Sequence, residues 1–240
     1  MSVIFVSDLH LDAKRPEIGQ QFLRFLEETA PAADSLYILG DLFESWVGDD
    51  DPQPEKTRIA PSLKKLGDSG TTCYFMCGNR DFLIGSDFAD YAGLTLLEDE
   101  VLIDIHGTPV LLMHGDSLCT DDHDYQAFRN MVRDESWQRE FLALPLEQRL
   151  EVATEARMRS AAHNLQAAEA ITDVNQQAVV AVLQKYGVTT LLHGHTHRPC
   201  VHNFRIDGTP ATRIVLGDWY DQGSVLSWDQ NGPRLEALPR

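Results

Sequence analysis

Cysteines and long apolar runs are both scarce in this sequence. The cysteines are scattered, without the close pairs of a zinc ribbon or a paired framework, so we expect free thiols. No apolar run approaches the roughly 20 residues that span a bilayer, so any membrane contact must be peripheral. The opening SVIFVSD predicts a strand, not the ordered regions of a signal peptide, which indicates a cytoplasmic protein. The four cysteines are Cys73, Cys77, Cys119 and Cys200.

Basic side chains are outnumbered. The sequence contains 20 Lys and Arg and 37 Asp and Glu, which gives a formal net charge of -17 and a pI near 4.8. This balance opposes nonspecific nucleic-acid binding, which depends on neutralising phosphates with Lys and Arg, so we expect no nucleic-acid partner and disfavour a nuclease. An anionic substrate would need local positive charge, which bound divalent cations can supply.

The length and pattern of the chain predict a single α/β domain over residues 1–240. A chain of this length buries a substantial core without disulfides. Short apolar runs end in polar residues and alternate with helical patterns, as in α/β folds that gather ligands at strand ends. The runs are VIFVSDLH, SLYILGD, TCYFMCGNRD, TPVLLMHGD, TTLLHGH and TRIVLGDWY.

Apolar spacing predicts helices in residues 20–30, 57–66 and 173–186. In the last of these, Asp173 and Gln176 resemble a capping box, and Gly187 stands where a helix stop belongs. The acidic run at 48–51 predicts a solvated loop.

Residues 121–170 predict a helical insertion within this domain. They are rich in Glu, Gln, Ala, Leu and Arg, contain one proline and show no convincing strand. Their basic residues are all arginine and alternate with apolar side chains. Ordinary amphipathic packing explains this pattern, and so does a cover for a substrate with phosphate and hydrocarbon parts.

Three histidines crowd the segment HGHTHR at 193–198. On an extended segment, side chains two apart point the same way, so His193, His195 and His197 are expected to share one face. Gly194 would let another group approach the backbone. Any one of them is more simply a core histidine, but together they can hold a metal ion.

Other potential ligands follow the remaining strands, in the fragments SDLH, GD, GNRD and MHGD. Each fragment alone is weak evidence, but the ordered set is strong. Seven oxygen and nitrogen ligands exceed what one ion needs, whereas two neighbouring ions bridged by a carboxylate would use them all. The candidates are Asp8, His10, Asp41, Asn79, His114, His195 and His197.

The set resembles the calcineurin-like metallophosphoesterases, whose signature is Asp-x-His, Gly-Asp, Gly-Asn-His-Asp/Glu, a lone His and Gly-His-x-His. All five blocks are present in order. The resemblance implies a β-sandwich flanked by helices and two divalent cations, with Asp41 as the bridge; the ligand types suit Mn²⁺ or a comparable ion. The implied ligands are Asp8, His10, Asp41 and His197 for one ion, and Asp41, Asn79, His114 and His195 for the other.

Arg80 departs from that signature, which has histidine after Gly-Asn. The family's histidine helps the leaving group, whereas an arginine stays charged and can only donate hydrogen bonds or neutralise an anion. A phosphate leaving group needs neutralisation more than protonation, so Arg80 favours cleavage of a pyrophosphate bond. A surface ion pair is the alternative role.

Arg80, the insertion after His114 and the ending LGDWYDQGSVL extend the resemblance, end to end, to the UDP-2,3-diacylglucosamine pyrophosphohydrolases of lipid A biosynthesis. That resemblance implies water attack on the α-phosphorus of UDP-2,3-diacylglucosamine, giving 2,3-diacylglucosamine 1-phosphate (lipid X) and UMP, with the insertion covering the site and receiving the acyl chains. Some members carry lysine where this chain has Ala167, and Arg157 is a possible replacement. The implied catalytic residues are Asp41, Asn79, Arg80 and His195, and the implied substrate contacts are Asn79, Arg80, Asp122, Arg157, Ser160, Asn164 and His195.

Two other functions remain to be weighed. A small-nucleotide phosphodiesterase would share the metal ligands, but Arg80 and the arginine-rich insertion argue against it. A binding module that had lost its metals should lack ligands, and all seven are present. Because a diacylated substrate lies in a membrane, we expect a peripheral protein on the cytoplasmic face of the inner membrane, and no obligate protein partner is evident.

Overall fold

A computed structural model describes residues 2–166 and 173–239, with side chains for all of these except 161–166. Within this described part the chain forms eleven β-strands and seven α-helices. The strands are β1 (Val3–Val6), β2 (Ser35–Leu39), β3 (Thr72–Met76), β4 (Leu94–Leu97), β5 (Glu100–Ile105), β6 (Thr108–Met113), β7 (Thr190–His193), β8 (Cys200–Ile206), β9 (Thr209–Val215), β10 (Gly223–Asp229) and β11 (Gly232–Leu238). The helices are α1 (Pro16–Glu28), α2 (Pro54–Asp68), α3 (Ser86–Ala92), α4 (His123–Val132), α5 (Glu135–Leu142), α6 (Leu146–Gln166) and α7 (Gln176–Tyr186).

The strands form two sheets that pack face to face. One has the order β11-β10-β1-β2-β3-β4 and the other β5-β6-β7-β9-β8. Successive residues of β2 point to opposite faces, so Leu39 joins the core between the sheets while Ile38 joins the core under the helices. Strands β1 to β4 are parallel, and β1 is buried along its whole length because both faces of this sheet are covered.

Helices cover the outer face of each sheet. Phe22 of α1, Ile59 of α2 and Phe88 of α3 belong to one core with the first sheet. Val179 and Leu183 of α7 pack with the second sheet. The predicted α/β sandwich flanked by helices is therefore confirmed.

The predicted insertion, residues 121–170, contains α4, α5 and α6, and its residues 167–170 lie outside the described part of the chain. The structure describes no strand between residues 121 and 166, as the composition predicts. No helix in the described ranges is both long and apolar enough to cross a membrane.

The acidic run at 48–51 is not the solvated loop that its composition predicts. The Asp49 carboxylate accepts hydrogen bonds from the indole of Trp46 and from the backbone of Gly85 and Phe88. Asp50 pairs with Arg149 of α6. Charges that look solvated in sequence are used to join this loop to α3 and to the insertion.

The predicted capping box of the last helix is also wrong. Helix α7 begins at Gln176, and the side chain of Asn175 caps it by accepting from the backbone of Gln177 and Ala178. Asp173 instead lies 3.1 Å from Arg198. The predicted stop is confirmed, because Gly187 ends the helix in the left-handed conformation that a glycine adopts without strain.

Candidate functional site

Five of the seven candidate ligands have left-handed backbones. The only other described non-glycine residues with positive φ are His106 and Asp207, which precede glycines in hairpin turns. Such conformations cost energy and cluster at functional sites. The five are Asp8 (φ 55°), His10 (φ 50°), Asp41 (φ 53°), His195 (φ 68°) and His197 (φ 56°).

Backbone hydrogen bonds between strand ends hold these residues in place. Past β1, the amide of Asp8 donates to Gly40 O at 3.0 Å and the amide of His10 donates to Asp41 O at 2.9 Å. The amide of Gly194 donates to His114 O at 2.8 Å. The carboxyl ends of β1, β2, β6 and β7 therefore meet at one place.

Asp81 joins the loop that follows β2 to the loop that follows β3. Its fully buried carboxylate accepts from the backbone amides of Gly78, Asp41, Leu42 and Phe43 at 2.7 to 3.3 Å. Burial and the nearby charge of Asp41 raise the pKa of Asp81 to about 6. The sequence shows Asp81 only as the last residue of GNRD, so its contact with the loop after β2 could not be predicted.

A first group of candidate ligands surrounds His197. Its Nε2 atom lies 3.1 Å from Nε2 of His10 and 3.3 Å from Oδ1 of Asp8. His10 Nε2 is 3.7 Å from Oδ2 of Asp41. Two ligand atoms about 2.1 Å from one ion and at right angles would lie about 3 Å apart, so this spacing suits a shared cation.

A carboxylate lies beside the other ring nitrogen of each of these histidines. His10 Nδ1 lies 3.0 Å from Oε2 of Glu44, and His197 Nδ1 lies 3.4 Å from Oδ2 of Asp218. If each Nδ1 carries the proton, both Nε2 lone pairs face each other with no hydrogen between them. Facing lone pairs beside a buried carboxylate suit a cation, and a carboxylate is one of the groups that commonly accept from the other nitrogen of a metal-bound histidine.

A second group surrounds Asn79. Its Oδ1 atom is 3.0 Å from His114 Nε2 and 2.8 Å from His195 Nδ1. His114 Nδ1 is 2.8 Å from Leu39 O, to which it donates, so in the neutral ring Nε2 is an acceptor facing another acceptor. Oδ1 of Asp41 lies 3.8 Å from His114 Nε2.

The electrostatics of the second group also suit a cation. Burial lowers the pKa of His114, but Asp41, Asp116 and Asp8 together raise it to about 9, so the surrounding field is strongly negative. Burial and the nearby His114 lower the pKa of His195 to about 4, which favours the neutral form that binds metal. The donor set fits two divalent cations, with the two oxygens of Asp41 facing one group each.

His193 does not join its neighbours. It ends β7, is fully buried, and its Nδ1 donates to Gly194 O at 2.8 Å. The predicted shared face of three histidines is wrong, because the strand ends at His193. His195 and His197, which follow it, take left-handed conformations. The prediction for Gly194 is confirmed: a Cβ there would collide with Ser7 and Asp8.

A cavity of about 400 Å³ opens over both groups. Five of the predicted substrate contacts line it. Arg157 is absent from the lining among the described residues, the side chain of Asn164 lies outside the described part, and so does Ala167. The lining predicted from sequence is Asn79, Arg80, Asp122, Ser160 and His195.

Tyr125 of α4 lines this cavity and has no signal in the sequence. Its ring stacks on His195 with centroids 5.9 Å apart, and its hydroxyl donates to Asp116 at 2.7 Å. Asp116 also accepts from Arg129 at 2.8 Å. The first helix of the insertion is thus joined directly to a candidate ligand.

Arg80 has two separate roles. Its backbone amide donates to Oδ1 of Asp41 at 2.8 Å, and its side chain lines the cavity. Among the described residues no carboxylate lies within 4.0 Å of its guanidinium, so the surface ion pair weighed as an alternative is not present. The cation is available to an anion in the cavity.

Comparison with known proteins gives the same family. A profile of the calcineurin-like phosphoesterases matches residues 1–199. Two curated relatives named UDP-2,3-diacylglucosamine hydrolase, from Stenotrophomonas maltophilia (strain K279a) and Salmonella typhi, are 52% and 50% identical to this chain over the full length of both proteins. A third relative with the same name, from Edwardsiella ictaluri, is 49% identical over all of this chain and 93% of its own length. The chain therefore belongs to the calcineurin-like phosphoesterase family, in the branch that contains these relatives.

Proposed function

We propose that this protein hydrolyses the pyrophosphate bond of UDP-2,3-diacylglucosamine, releasing 2,3-diacylglucosamine 1-phosphate and UMP in lipid A biosynthesis. The observation that carries the proposal is the position of Arg80: its guanidinium has no carboxylate within 4.0 Å among the described residues, and Arg80 lines the same cavity as five of the seven candidate metal ligands. The relatives that match from end to end are named for this substrate.

Two divalent cations, for which we propose Mn²⁺, would be held by the two groups of ligands with Asp41 between them. When bound, such ions polarise the scissile phosphate and lower the pKa of water enough to make a nucleophile near neutral pH. Asp8, His10 and His197 complete one proposed site, and the remaining ligands complete the other. The buried Oδ1 of Asp8, which has no hydrogen-bond donor in the described structure, supports this assignment.

The chain's own cation would act on the leaving group. As the pyrophosphate bond breaks, negative charge grows on the departing lipid phosphate, and Arg80 would neutralise it without transferring a proton. His195, held between Asn79 and the ring of Tyr125, would position the phosphate. Asp122 and Ser160, which also line the cavity, would hold the sugar.

The insertion would receive the acyl chains and meet the membrane surface. It exposes several large apolar side chains, of which Met158 is 69% and Met131 47% exposed. Arginines beside such residues suit a surface of anionic lipid. Sedimentation with anionic vesicles that weakens as salt rises is expected; a wholly soluble protein whose fractionation ignores salt would argue against this placement.

The direct test is Mn²⁺-dependent release of UMP from UDP-2,3-diacylglucosamine. UDP-N-acetylglucosamine, which lacks the acyl chains, and bis-p-nitrophenyl phosphate serve as comparison substrates. Rapid turnover of the acylated substrate alone is expected. Activity confined to the generic diester would leave the metal chemistry but refute the substrate, and no turnover of any of the three would favour a binding module.

A further inference from the structure

A second cavity of about 230 Å³ adjoins the first. Thr196 and Arg198, in the segment that follows β7, line both. We call the second one the side cavity; Asp173, His202 and Arg213 also line it. Its volume is smaller than the roughly 300–1,000 Å³ of pockets that enclose a whole drug-sized ligand, so the side cavity suits one ring of a longer molecule.

Two buried polar atoms of the side cavity's lining residues have no hydrogen-bond partner in the described structure. They are Nε of Arg213, a residue that is 6% exposed, and the hydroxyl Oγ1 of Thr196. Such atoms are costly unless something binds them. Arg213 is held in position by His193, 3.3 Å from its Nη1, and by Asp173 at 3.8 Å, so its donor is fixed in advance.

The chemistry of this lining matches a base that presents a carbonyl, an N–H and a second carbonyl in a row. The guanidinium of Arg213 can only donate, whereas the carboxylate of Asp173 can only accept. Pro199 and Val215 supply apolar surface for a flat ring. Uracil has this edge, whereas cytosine offers an amino group and an unprotonated nitrogen there.

We propose that the side cavity is the subsite for the uracil base of the nucleotide end of the substrate. This inference rests on the proposed function, since a ribose and one phosphate separate uracil from the scissile bond. In the sequence, the candidate metal ligand His197 lies between Thr196 and Arg198, the two residues that line both cavities. A base in the side cavity would leave its α-phosphate beside the metal groups.

Cys200 provides a readout that does not depend on turnover. It lines the side cavity and is the exposed cysteine of the four, since Cys73 and Cys119 are buried and Cys77 is half-buried. In the Mn²⁺-loaded protein, UMP at several times its Kd should slow alkylation of Cys200 by iodoacetamide about fivefold, as measured by peptide mass spectrometry. AMP and inorganic phosphate at the same concentration should not. Equal protection by phosphate would mean an anion site that ignores the base, and would overturn the proposal.

Substitutions in the side cavity give an independent test. Arg213→Lys keeps the charge but loses the planar donors, and His202→Ala alters a less buried residue in case the first variant does not fold. Each should raise KM for UDP-2,3-diacylglucosamine about tenfold with kcat within about twofold, and should abolish protection by UMP. Arg205→Lys, exposed on the neighbouring strand β8, is the matched control and should change neither.

The two proposals fail in different ways. If the unmodified protein releases no UMP from UDP-2,3-diacylglucosamine, the proposed function is wrong. If it turns the substrate over normally, yet UMP leaves Cys200 unprotected and both variants keep their KM, only the uracil subsite is wrong.

Discussion

His10 and His197, 187 positions apart in the chain, point their Nε2 atoms at each other across 3.1 Å, and each is backed by a carboxylate on its other nitrogen. Neither Glu44 nor Asp218 is among the candidate metal ligands. A proton on each Nδ1, attracted by these carboxylates, would leave Nε2 of each ring free to bind metal. Removing them therefore tests the candidate site without removing a ligand.

Glu44→Ala and Asp218→Ala should each weaken Mn²⁺ binding about 10- to 100-fold, because loss of such an outer carboxylate frees the ring and lowers its basicity. Equilibrium dialysis with Mn²⁺ measures this directly. Glu17→Ala, an exposed glutamate of α1, is the control and should bind normally. Unchanged affinity in both variants would contradict the orienting role.

Divalent cations should stabilise the fold, because they bind carboxylates that are buried close together in the folded state alone. Free Mn²⁺ at 100 times its Kd adds about 2.7 kcal/mol per site to the free energy of unfolding. For a chain of this size that raises Tm by about 5–10 °C. Chelation should reverse the rise, and scanning calorimetry would show it.

In Asp41→Asn, which alters the carboxylate facing both groups, most of the rise in Tm with Mn²⁺ and most of the activity should be lost. Near-normal turnover with full metal content would refute the bridging assignment.

Arg80→Met should lower kcat/KM for UDP-2,3-diacylglucosamine about 10²- to 10³-fold, because the leaving phosphate loses its neutralising cation. The backbone amide of Arg80, which binds Asp41, is untouched by the substitution, so metal content should stay normal. Hydrolysis of bis-p-nitrophenyl phosphate should change only a few-fold, since its leaving group carries no phosphate. Equal losses on both substrates would show that Arg80 serves the metal site instead.

The residue types of the site could be predicted from the sequence, but its geometry could not. Asp8, His10 and Asp41 were identified because each follows an apolar run that is buried as a strand. Their left-handed backbones depend on hydrogen bonds such as Asp8 N to Gly40 O, between segments far apart in sequence. The alternation of side chains along an extended strand therefore predicted, wrongly, that His193 shares a face with His195 and His197.

The errors in the helical and acidic regions have a similar cause. Asp173 has the sequence position of a helix cap, but its carboxylate lies 3.1 Å from Arg198 and 3.8 Å from Arg213, both of which come after the helix in the chain. Asp50 looks like part of a hydrated loop, but its partner Arg149 lies 99 positions later. Local pattern cannot reveal a partner that is supplied by tertiary structure.

The contact between Arg149 and the loop at 48–51 leads to the last prediction. Arg149 is 3% exposed, donates to Val47 O at 2.6 Å and to Leu144 O at 3.1 Å, and pairs with the carboxylate of Asp50. The Asp50 side chain is 64% exposed, so the ion pair itself is partly screened by water. Most of the stabilisation should come from the hydrogen bonds to the two carbonyls, of which the one to Val47 O is buried.

Arg149→Met should therefore lower the free energy of unfolding by about 1–3 kcal/mol, because it removes the donor that Arg149 supplies to the buried carbonyl of Val47. It should also loosen the insertion from the sandwich, so limited proteolysis should cut α4 to α6 faster than the rest of the chain. Arg159→Met on the same helix is the control: Arg159 is 83% exposed and its pair with Glu155 should contribute well under 1 kcal/mol. If the two variants melt and digest alike, Arg149 does not hold the insertion. If the insertion loosens as expected, kcat/KM for the acylated substrate should fall while hydrolysis of bis-p-nitrophenyl phosphate continues, because only the former needs the insertion in place.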